Sequence, residues 1–210
     1  MAEFEPDSAE TLRLLDEIRA GDGTACDRLL AHHRDGLRRF VANRLDTRVQ
    51  ARLDPSDVVQ ETQLEAYRRM DDFLARRPMP FRVWLQKTAY ERLLKLRRHH
   101  AEAERRSVGR ELGLPDRSSL LLARPFLDKE SSPSRQLARG ELVRRVRQAL
   151  AGLSETDREV LLMRSVDELP YREIACILDL DPAAARKRYG RALLRLRRLL
   201  LDADLLEGLP

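Results

Sequence analysis

The spacing of apolar residues along this chain is that of amphipathic helices almost throughout. Leucine, alanine and valine recur three and four positions apart, which places them on one face of a helix. Few segments read as strands, so the pattern predicts an all-α protein. The predicted helices cover residues 9–20, 24–45, 54–70, 81–100, 137–150, a stretch that starts at Ser154, and two helices between Leu169 and Leu200.

Helix-breaking residues divide this pattern into two blocks. Gly21 and Gly23 end the first helix, and a loop from Asp71 to Pro80 with two prolines precedes the helix at Phe81. From about Ala101 to Gln136 glycines, prolines and a Ser-Ser-Pro-Ser cluster interrupt the periodicity, which is typical of a linker. We therefore predict two small helical domains, at residues 1–100 and 138–210, joined by a linker at 101–137.

Three helix starts carry capping signals. Asp54 precedes Pro55, which suits an N-cap acid followed by proline at the first helical position, and Asp57 adds a second acid near the free N–H groups. The stretch from Ser154 to Asp157 resembles a capping box with Asp in place of Glu. Asp181 before Pro182 repeats the first pattern at the start of the last helix.

The last two helices carry the clearest functional signal. Between Leu169 and Leu200 a short helix, a three-residue turn and a long basic helix follow one another. The stretch from Arg186 to Arg198 holds seven Lys and Arg residues and no acid. A short helix that braces a cationic helix is the helix-turn-helix arrangement that enters the DNA major groove, so this pair predicts binding to duplex DNA.

Charge is consistent with a polyanionic partner, although total charge does not identify one. The 210 residues carry a formal net charge of +5 and a sequence pI near 9.6; 36% are charged and 5% aromatic. The charge is unevenly spread, since residues 1–17 hold six acids and one arginine. No apolar run approaches a membrane span or a signal peptide, so we expect a cytoplasmic protein without a membrane contact.

The sequence offers no candidate for catalysis or for a bound metal. Cys26 and Cys176 lack paired spacing, and the two histidine pairs, His32–His33 and His99–His100, are adjacent rather than spaced as helical metal ligands. No phosphate-binding glycine loop, nucleophile elbow or pair of catalytic acids is present. We therefore expect no metal, no cofactor and no enzymatic activity.

Two blocks together resemble one protein family. DPSDVVQETQLEAYRRMDDF, followed by PFRVWLQKTAYERLLKLRRHH, and the later block LSETDREVLLMRSVDELPYREIACILDLDPAAARKRYGRALLRLRR are similar to the sigma-70 family of bacterial transcription initiation factors. The short two-domain layout resembles its extracytoplasmic-function (ECF) group. The resemblance implies a region 2 domain and a region 4 domain, which bind the clamp and the flap of core RNA polymerase and the −10 and −35 promoter elements. It also implies that polymerase does the chemistry.

The resemblance assigns two groups of residues in the first block. The polymerase clamp contact matches the D-x-x-Q-E pattern, which three- and four-residue spacing places on one helical face: Asp57, Gln60 and Glu61. The −10 element, with a base flipped out of the non-template strand, matches the loop and helix from 71 to 100. Its candidates are Arg76, Arg77, Arg82, Lys87, Tyr90, Arg92 and Lys95. Phe81 and Trp84 have core spacing, whereas Tyr90 is expected to be less buried and is the better candidate for stacking on a base.

The −35 element matches the first half of the last helix. The residues implied are Ala183, Ala184, Arg186, Lys187, Arg188, Tyr189, Gly190 and Arg191. Arg186 and Lys187 suit guanine edges, and alanine methyl groups suit thymine methyl groups. Arg188 and Arg191 suit phosphates, whereas the later arginines of this helix are expected to be solvated support.

The chain departs from the family pattern at several positions, and two other functions are compatible with parts of the sequence. Glu91 stands where the family often has Asn, and because an acid there repels phosphate, no DNA contact is assigned to it. Pro170 replaces a common Ser cap, and Lys187 and Ala185 also differ from the family pattern, so the promoter sequence is not predicted. One alternative is a helix-turn-helix repressor or activator that acts without polymerase, and another is an all-helical adaptor. The first block favours the sigma factor, because a repressor has no need of a second basic helix behind a D-x-x-Q-E patch. An anti-sigma partner is left open.

Overall fold

The computed structural model describes residues 4–45, 54–104, 118, 122 and 146–201, with side chains described except at 99–104 and 199–201. All regular structure in these ranges is helical, which confirms the all-α prediction. The helices are α1 (Ala9–Arg19), α2 (Ala25–Ala42), α3 (Pro55–Arg68), α4 (Met70–Arg76), α5 (Phe81–Glu104), α6 (Glu155–Ser165), α7 (Tyr171–Leu178) and α8 (Pro182–Leu201). Residues 146–151 are helical as well. The chain divides into two compact units, Met1–Ala42 with Gln50–Arg110, and Asn43–Val49 with Glu111–Pro210.

The first unit is built around α2 and α5. Helix α2 packs against α1, α3 and α5, and α3 packs against α5. The amphipathic faces meet in a core that includes Leu29, Phe40, Val59, Phe81 and Leu93, each at most 2% exposed. Burial of each such side chain contributes roughly 1.5–3 kcal/mol, so the packing of these faces fixes the position of α3 and α5.

The prediction of a loop from Asp71 to Pro80 was wrong for its first half, which is helical. Helix α3 ends before Arg69, whose φ of −104° and ψ of 10° are not helical, and α4 begins at once. Met70 and Phe73 are 4% and 2% exposed, so two apolar side chains on one face hold this short helix against the core. The loop itself starts at Arg77, which is in the left-handed region with a φ of 36°.

A polar contact lies inside the first unit. The Nε2 atom of His33 is 3.0 Å from the Oγ1 atom of Thr11, a fully buried residue, and the His33 ring is 5.1 Å from the Phe81 ring. Burial, with a smaller contribution from the neighbouring His32, lowers the pKa of His33 from 6.5 to about 4. His33 is therefore neutral at pH 7 and ties α2 to α1.

The second unit contains the predicted helix-turn-helix. Helices α6, α7 and α8 pack against one another, and their core includes Leu150, Leu161, Leu162 and Leu196. Leu122, from the segment predicted as a linker, belongs to the same cluster and is 4% exposed. Most of that segment lies outside the described residues, and the predicted domain boundaries stay predictions.

An arginine is buried within the second unit. Arg44 Nε lies 2.9 Å from Glu159 Oε2, and Arg44 Nη2 lies 2.7 Å from Asp167 Oδ2. The side chains of Arg44, Glu159 and Asp167 are 0%, 1% and 7% exposed. Asn43 adds a bond of 3.0 Å to Asp167 Oδ1. A buried guanidinium is stable only when carboxylates neutralise it, so this cluster holds residues 43 and 44 to the unit.

Candidate polymerase and DNA interfaces

The predicted polymerase contact lies on an exposed face of α3. The N-cap is confirmed: Ser56 N donates to Asp54 Oδ1 at 2.7 Å, and this bond lowers the pKa of the Asp54 carboxyl. Val58 and Val59 are 0% and 1% exposed, which fixes how the helix is rotated about its axis. That rotation exposes Asp57, Gln60 and Glu61 together. The face offers two carboxylates and an amide, which suits arginine or lysine on a partner.

An ion pair joins this patch to the predicted −10 helix. The guanidinium of Arg92 on α5 binds the carboxylate of Glu61 on α3. The two side chains are 40% and 48% exposed, so the pair contributes at most about 1 kcal/mol of stability and is readily exchanged for other partners. Glu61 and Arg92 belong to different predicted sites, and no local sequence signal links residues that are this far apart in the chain.

The −10 candidates lie around the end of α4 and along α5. Five of the seven are on α5, and Arg76 and Arg77 end α4. Arg76 Nη2 lies 2.5 Å from Asp72 Oδ1, so its charge is balanced by the same helix. Arg82 lies 3.5 Å from Glu5, whereas Lys95 is exposed. The −10 candidates therefore lie together in one part of the first unit, but several of their cationic side chains are already paired with acids.

A cavity of about 190 Å³ lies between the α4 segment and α5. Its lining combines apolar walls with charged residues at the rim: Arg69, Asp72, Phe73, Arg76, Pro78, Met79, Trp84, Lys87, Thr88 and Glu91. Arg69 lies 6.0 Å from the Trp84 ring centre and 3.9 Å from the Glu91 carboxylate. Glu91, which was expected to repel phosphate, is thus partly balanced by a guanidinium.

The three aromatic rings of this segment are all buried. Phe81, Trp84 and Tyr90 are 0%, 6% and 7% exposed. Phe81 and Trp84 pack on Phe73, with ring centres 5.4 Å and 4.6 Å away, as their helical spacing predicts. The expected contrast with Tyr90 is nearly absent, because Tyr90 lies seven residues after the buried Val83 on the same face. Stacking of Tyr90 on a base would require its side chain to leave the core.

The predicted −35 helix starts as its sequence indicates. Asp181 Oδ1 accepts hydrogen bonds from Ala183 N at 2.8 Å and from Ala184 N at 3.2 Å, and Pro182 is the first helical residue. Ala185 and Leu196 are at most 1% exposed and anchor α8. The exposed face carries Ala183, Arg186, Lys187 and Arg191, with Ala184, Arg188, Tyr189 and Gly190 partly buried. A capped helix start with exposed cations is the geometry that major-groove reading needs.

Tyr171 braces this face. The Arg186 guanidinium carbon lies 5.3 Å from the centre of the Tyr171 ring, and that of Arg164 lies 5.2 Å from it. The Tyr189 ring centre is 6.0 Å away, and the Tyr189 hydroxyl lies 3.2 Å from Ser165 Oγ. A cation over an aromatic face is held by the ring quadrupole, so Tyr171 orients Arg186. No sequence pattern indicates this role of Tyr171.

Arg188 is engaged within the protein. Its Nη1 atom lies 3.0 Å from Asp157 Oδ1, and the two side chains are 34% and 22% exposed. Ser154 caps α6 as predicted, accepting from Asp157 N at 3.2 Å. The Asp157 carboxylate thus links the start of α6 to α8, a role that the capping-box pattern did not indicate.

The described residues contain no group of three or more His, Cys, Asp or Glu side chains placed to hold a metal ion. In the same part of the chain, no helix combines the length and the apolar character that crossing a membrane requires. Cys26 and Cys176 are not joined in a disulfide, and burial raises the pKa of the Cys26 thiol.

A short helix, a tight turn and a capped cationic helix define a helix-turn-helix DNA-binding protein. Residues 29–102 match the family model of sigma-70 region 2, and residues 144–196 match that of sigma-70 region 4. The RNA polymerase sigma factor CnrH of Cupriavidus metallidurans is 33% identical over 151 residues, which are 72% of this chain and 75% of that protein. The ECF RNA polymerase sigma-E factor of Haemophilus influenzae is 28% identical over 179 residues, 85% and 89% of the two chains. The chain therefore belongs to the sigma-70 family of RNA polymerase sigma factors, as a member of the ECF type.

Solved structures show the same fold. The structure of CnrH in complex with the cytosolic domain of CnrY superposes with a TM-score of 0.58 at 25% identity, covering 94% of this chain and 99% of that chain. The structure of the sigma factor RpoE of Bartonella quintana, in complex with the anti-sigma factor NepR, superposes with a TM-score of 0.56 at 19% identity. The match covers 84% of this chain and 97% of that chain. The predicted function is confirmed at this level: a sigma factor binds core polymerase and directs it to specific promoters.

Proposed function

We propose that this sigma factor contacts core polymerase through the exposed face of α3 and promoter DNA through α5 and α8. The observation that carries the proposal is the exposed, capped start of α8 with Arg186, Lys187 and Arg191 pointing to solvent. Arginine and lysine at this end of a recognition helix suit guanine edges, and the methyl group of Ala183 suits thymine. Arg188 reaches a phosphate by exchanging its partner Asp157.

The −10 element is assigned to the cations at the end of α4 and along α5. Arg76, Arg77, Arg82, Lys87, Arg92 and Lys95 supply positive charge for a single strand, and the cavity beside Trp84 and Lys87 is the candidate receptacle for an unstacked base. Arg76, Arg82 and Arg92 lie close to acids in the free protein, so at these three positions DNA replaces weak ion pairs.

The proposal also covers the finer properties of the chain. It acts without catalysis of its own, because polymerase supplies the chemistry. It works in the cytoplasm, since core polymerase and promoter DNA are there. An anti-sigma partner is included because two sigma factors of the same fold, CnrH and RpoE of Bartonella quintana, have been solved with a bound protein.

In vitro transcription with core polymerase on genomic DNA, followed by mapping of the start sites, tests the proposal. We expect transcripts to start downstream of a shared pair of −10-like and −35-like sequences. A folded protein that binds core polymerase and yields no shared upstream motif would refute the assignment of α5 and α8.

The α3 face is tested by polymerase co-purification. Changing Asp57, Gln60 and Glu61 together to Ala should weaken core binding tenfold or more, since hydrogen bonds to charged groups contribute about 1.5–3 kcal/mol each. Because Glu61→Ala also releases Arg92, the double variant Asp57→Ala/Gln60→Ala isolates the polymerase contact. Glu65→Gln, an exposed acid of the same helix, is the matched control. Unchanged co-purification of a folded triple variant would count against this interface.

A further inference from the structure

The start of α5 lacks a capping group in its own sequence. The first helical hydrogen bond runs from Trp84 N to Pro80 O at 3.0 Å, so Pro80 holds the N-cap position. Its hydrocarbon ring has no acceptor, and the first turn of α5 contains no acidic residue. Arg82 instead brings a positive charge to the positive end of the helix dipole, where an anion is favoured.

The missing cap comes from the N-terminal segment. Phe81 N donates a hydrogen bond of 3.0 Å to Oδ2 of Asp7, 74 residues earlier in the chain. Glu5 lies 3.5 Å from the Arg82 guanidinium, so a second acid faces the same helix end. A carboxylate on a free N–H group satisfies the donor and opposes the helix dipole. Asp7 therefore supplies the capping carboxylate that the N-cap residue itself, here Pro80, would supply in an ordinary helix.

The residue after Asp7 anchors it. Ser8 caps α1, because Ser8 Oγ accepts from Thr11 N at 3.2 Å; it also lies 2.9 Å from Thr11 Oγ1. Thr11 is fully buried, and its hydroxyl lies 3.0 Å from His33 Nε2. Two consecutive residues thus cap two different helices, and a buried contact holds both in the core of the first unit.

We infer that Asp7 is a positioning residue for recognition of the −10 element, because it fixes the first turn of the helix that carries most of the −10 candidates. The inference rests on the function proposed for α5. Arg82 and Lys87 follow Phe81 by one and six residues, so fraying of this turn displaces Arg82 and loosens the register of Lys87. Asp7 acts through the backbone of α5 rather than through a contact with DNA.

The test uses holoenzyme made from core polymerase and the full-length protein, on a promoter fragment whose start site the wild-type enzyme defines. Permanganate reactivity measures opening of the −10 element, and a DNase I footprint measures the −35 contact. We expect Asp7→Ala to reduce opening about fivefold, the effect of a typical lost N-cap, with an unchanged −35 footprint. Asp7→Asn keeps a capping oxygen and should stay within about twofold of wild type. Asp16→Ala, which removes an exposed acid of α1 paired with Arg19, is the matched control and should leave opening unchanged.

A local cap distinguishes positioning from a direct contact. Pro80→Asp supplies an acceptor at the N-cap of α5, so Asp7→Ala/Pro80→Asp should recover opening to within about twofold of wild type. Recovery also decides the matter if Asp7→Ala alone does not fold, because the double variant is capped. Three results would each overturn the inference: no recovery in the double variant, equal losses in Asp7→Ala and Asp7→Asn, or equal losses in Asp7→Ala and Asp16→Ala.

Two further results distinguish a failure of the role inferred for Asp7 from a failure of the function proposed for α5. Greater opening by Asp7→Ala would overturn it, since the N-terminal acids would then compete with DNA phosphate for Arg82. Failure of the wild-type holoenzyme to open the −10 element of any mapped promoter would instead refute the function proposed for α5.

Discussion

Replacing Arg44 by Met should destabilise the protein by about 3–5 kcal/mol, because it leaves buried carboxylates without their countercharge. The value follows from the geometry: the guanidinium lies 2.9 Å and 2.7 Å from two acids, and the Glu159 side chain is 1% exposed. A carboxylate in that environment cannot regain its water. Since small domains are stable by only about 5–15 kcal/mol, this single change removes a large share of the folding free energy.

Urea denaturation followed by far-UV circular dichroism measures this loss. Arg38→Met is the matched control, because Arg38 is exposed and its replacement should change stability by no more than about 0.5 kcal/mol. Adding Glu159→Met to Arg44→Met should recover part of the loss, since it replaces one of the two buried carboxylates by an apolar group, while Asp167 stays without the guanidinium. The reasoning fails if Arg44→Met behaves like Arg38→Met, or if the double variant is no more stable than Arg44→Met.

Two further predictions concern DNA and pH. Arg186→Ala should weaken binding to a −35 duplex by ~1–3 kcal/mol, as for a bidentate guanine contact, whereas Arg197→Ala should weaken it much less. Fluorescence anisotropy measures both affinities. An equal loss for Arg186→Ala on a scrambled duplex would show that Arg186 contacts phosphate rather than a base. Because the pKa of His33 is lowered to about 4, the unfolded state binds more protons between pH 4 and about 6.5, so stability falls as pH decreases through that window. His33→Gln, which keeps an acceptor for Thr11, should flatten this decline in urea midpoints between pH 7.5 and pH 5; an unchanged decline would assign it to other groups.

The helix starts could be predicted because their signals are local. Asp54 and Asp181 each precede a proline, and the capping bonds form within three residues. Helix α4 could not be predicted in the same way, because two acids and two nearby prolines favour a loop. What holds α4 is the burial of Met70 and Phe73 against the rest of the first unit, a tertiary effect that short-range patterns do not report.

The residues of the candidate sites could be predicted from the sequence, whereas the side chains that they pair with could not. A basic helix and a D-x-x-Q-E pattern mark which residues can face DNA or polymerase. They do not show that Arg92 binds Glu61, or that Asp157 holds Arg188, because each pair joins helices that are distant in sequence. Tyr90 was expected to be less buried than Phe81 and Trp84, but its side chain is 7% exposed because it lies on the same helical face as the buried Val83.

The partners of the arginines, rather than their positions in the sequence, rank them as candidates for binding DNA. Arg92 and Arg188 have partners whose side chains are 48% and 22% exposed, so a phosphate can displace either carboxylate at a cost of about 1 kcal/mol or less. Arg186 rests on the face of Tyr171, which leaves its donors free to meet a guanine edge in a fixed direction. Arg44 has the same charge and two carboxylates, yet its burial makes exchange too costly, so it belongs to the fold. The proposed DNA-binding arginines are therefore selected by the solvent exposure of their partners as well as by their charge.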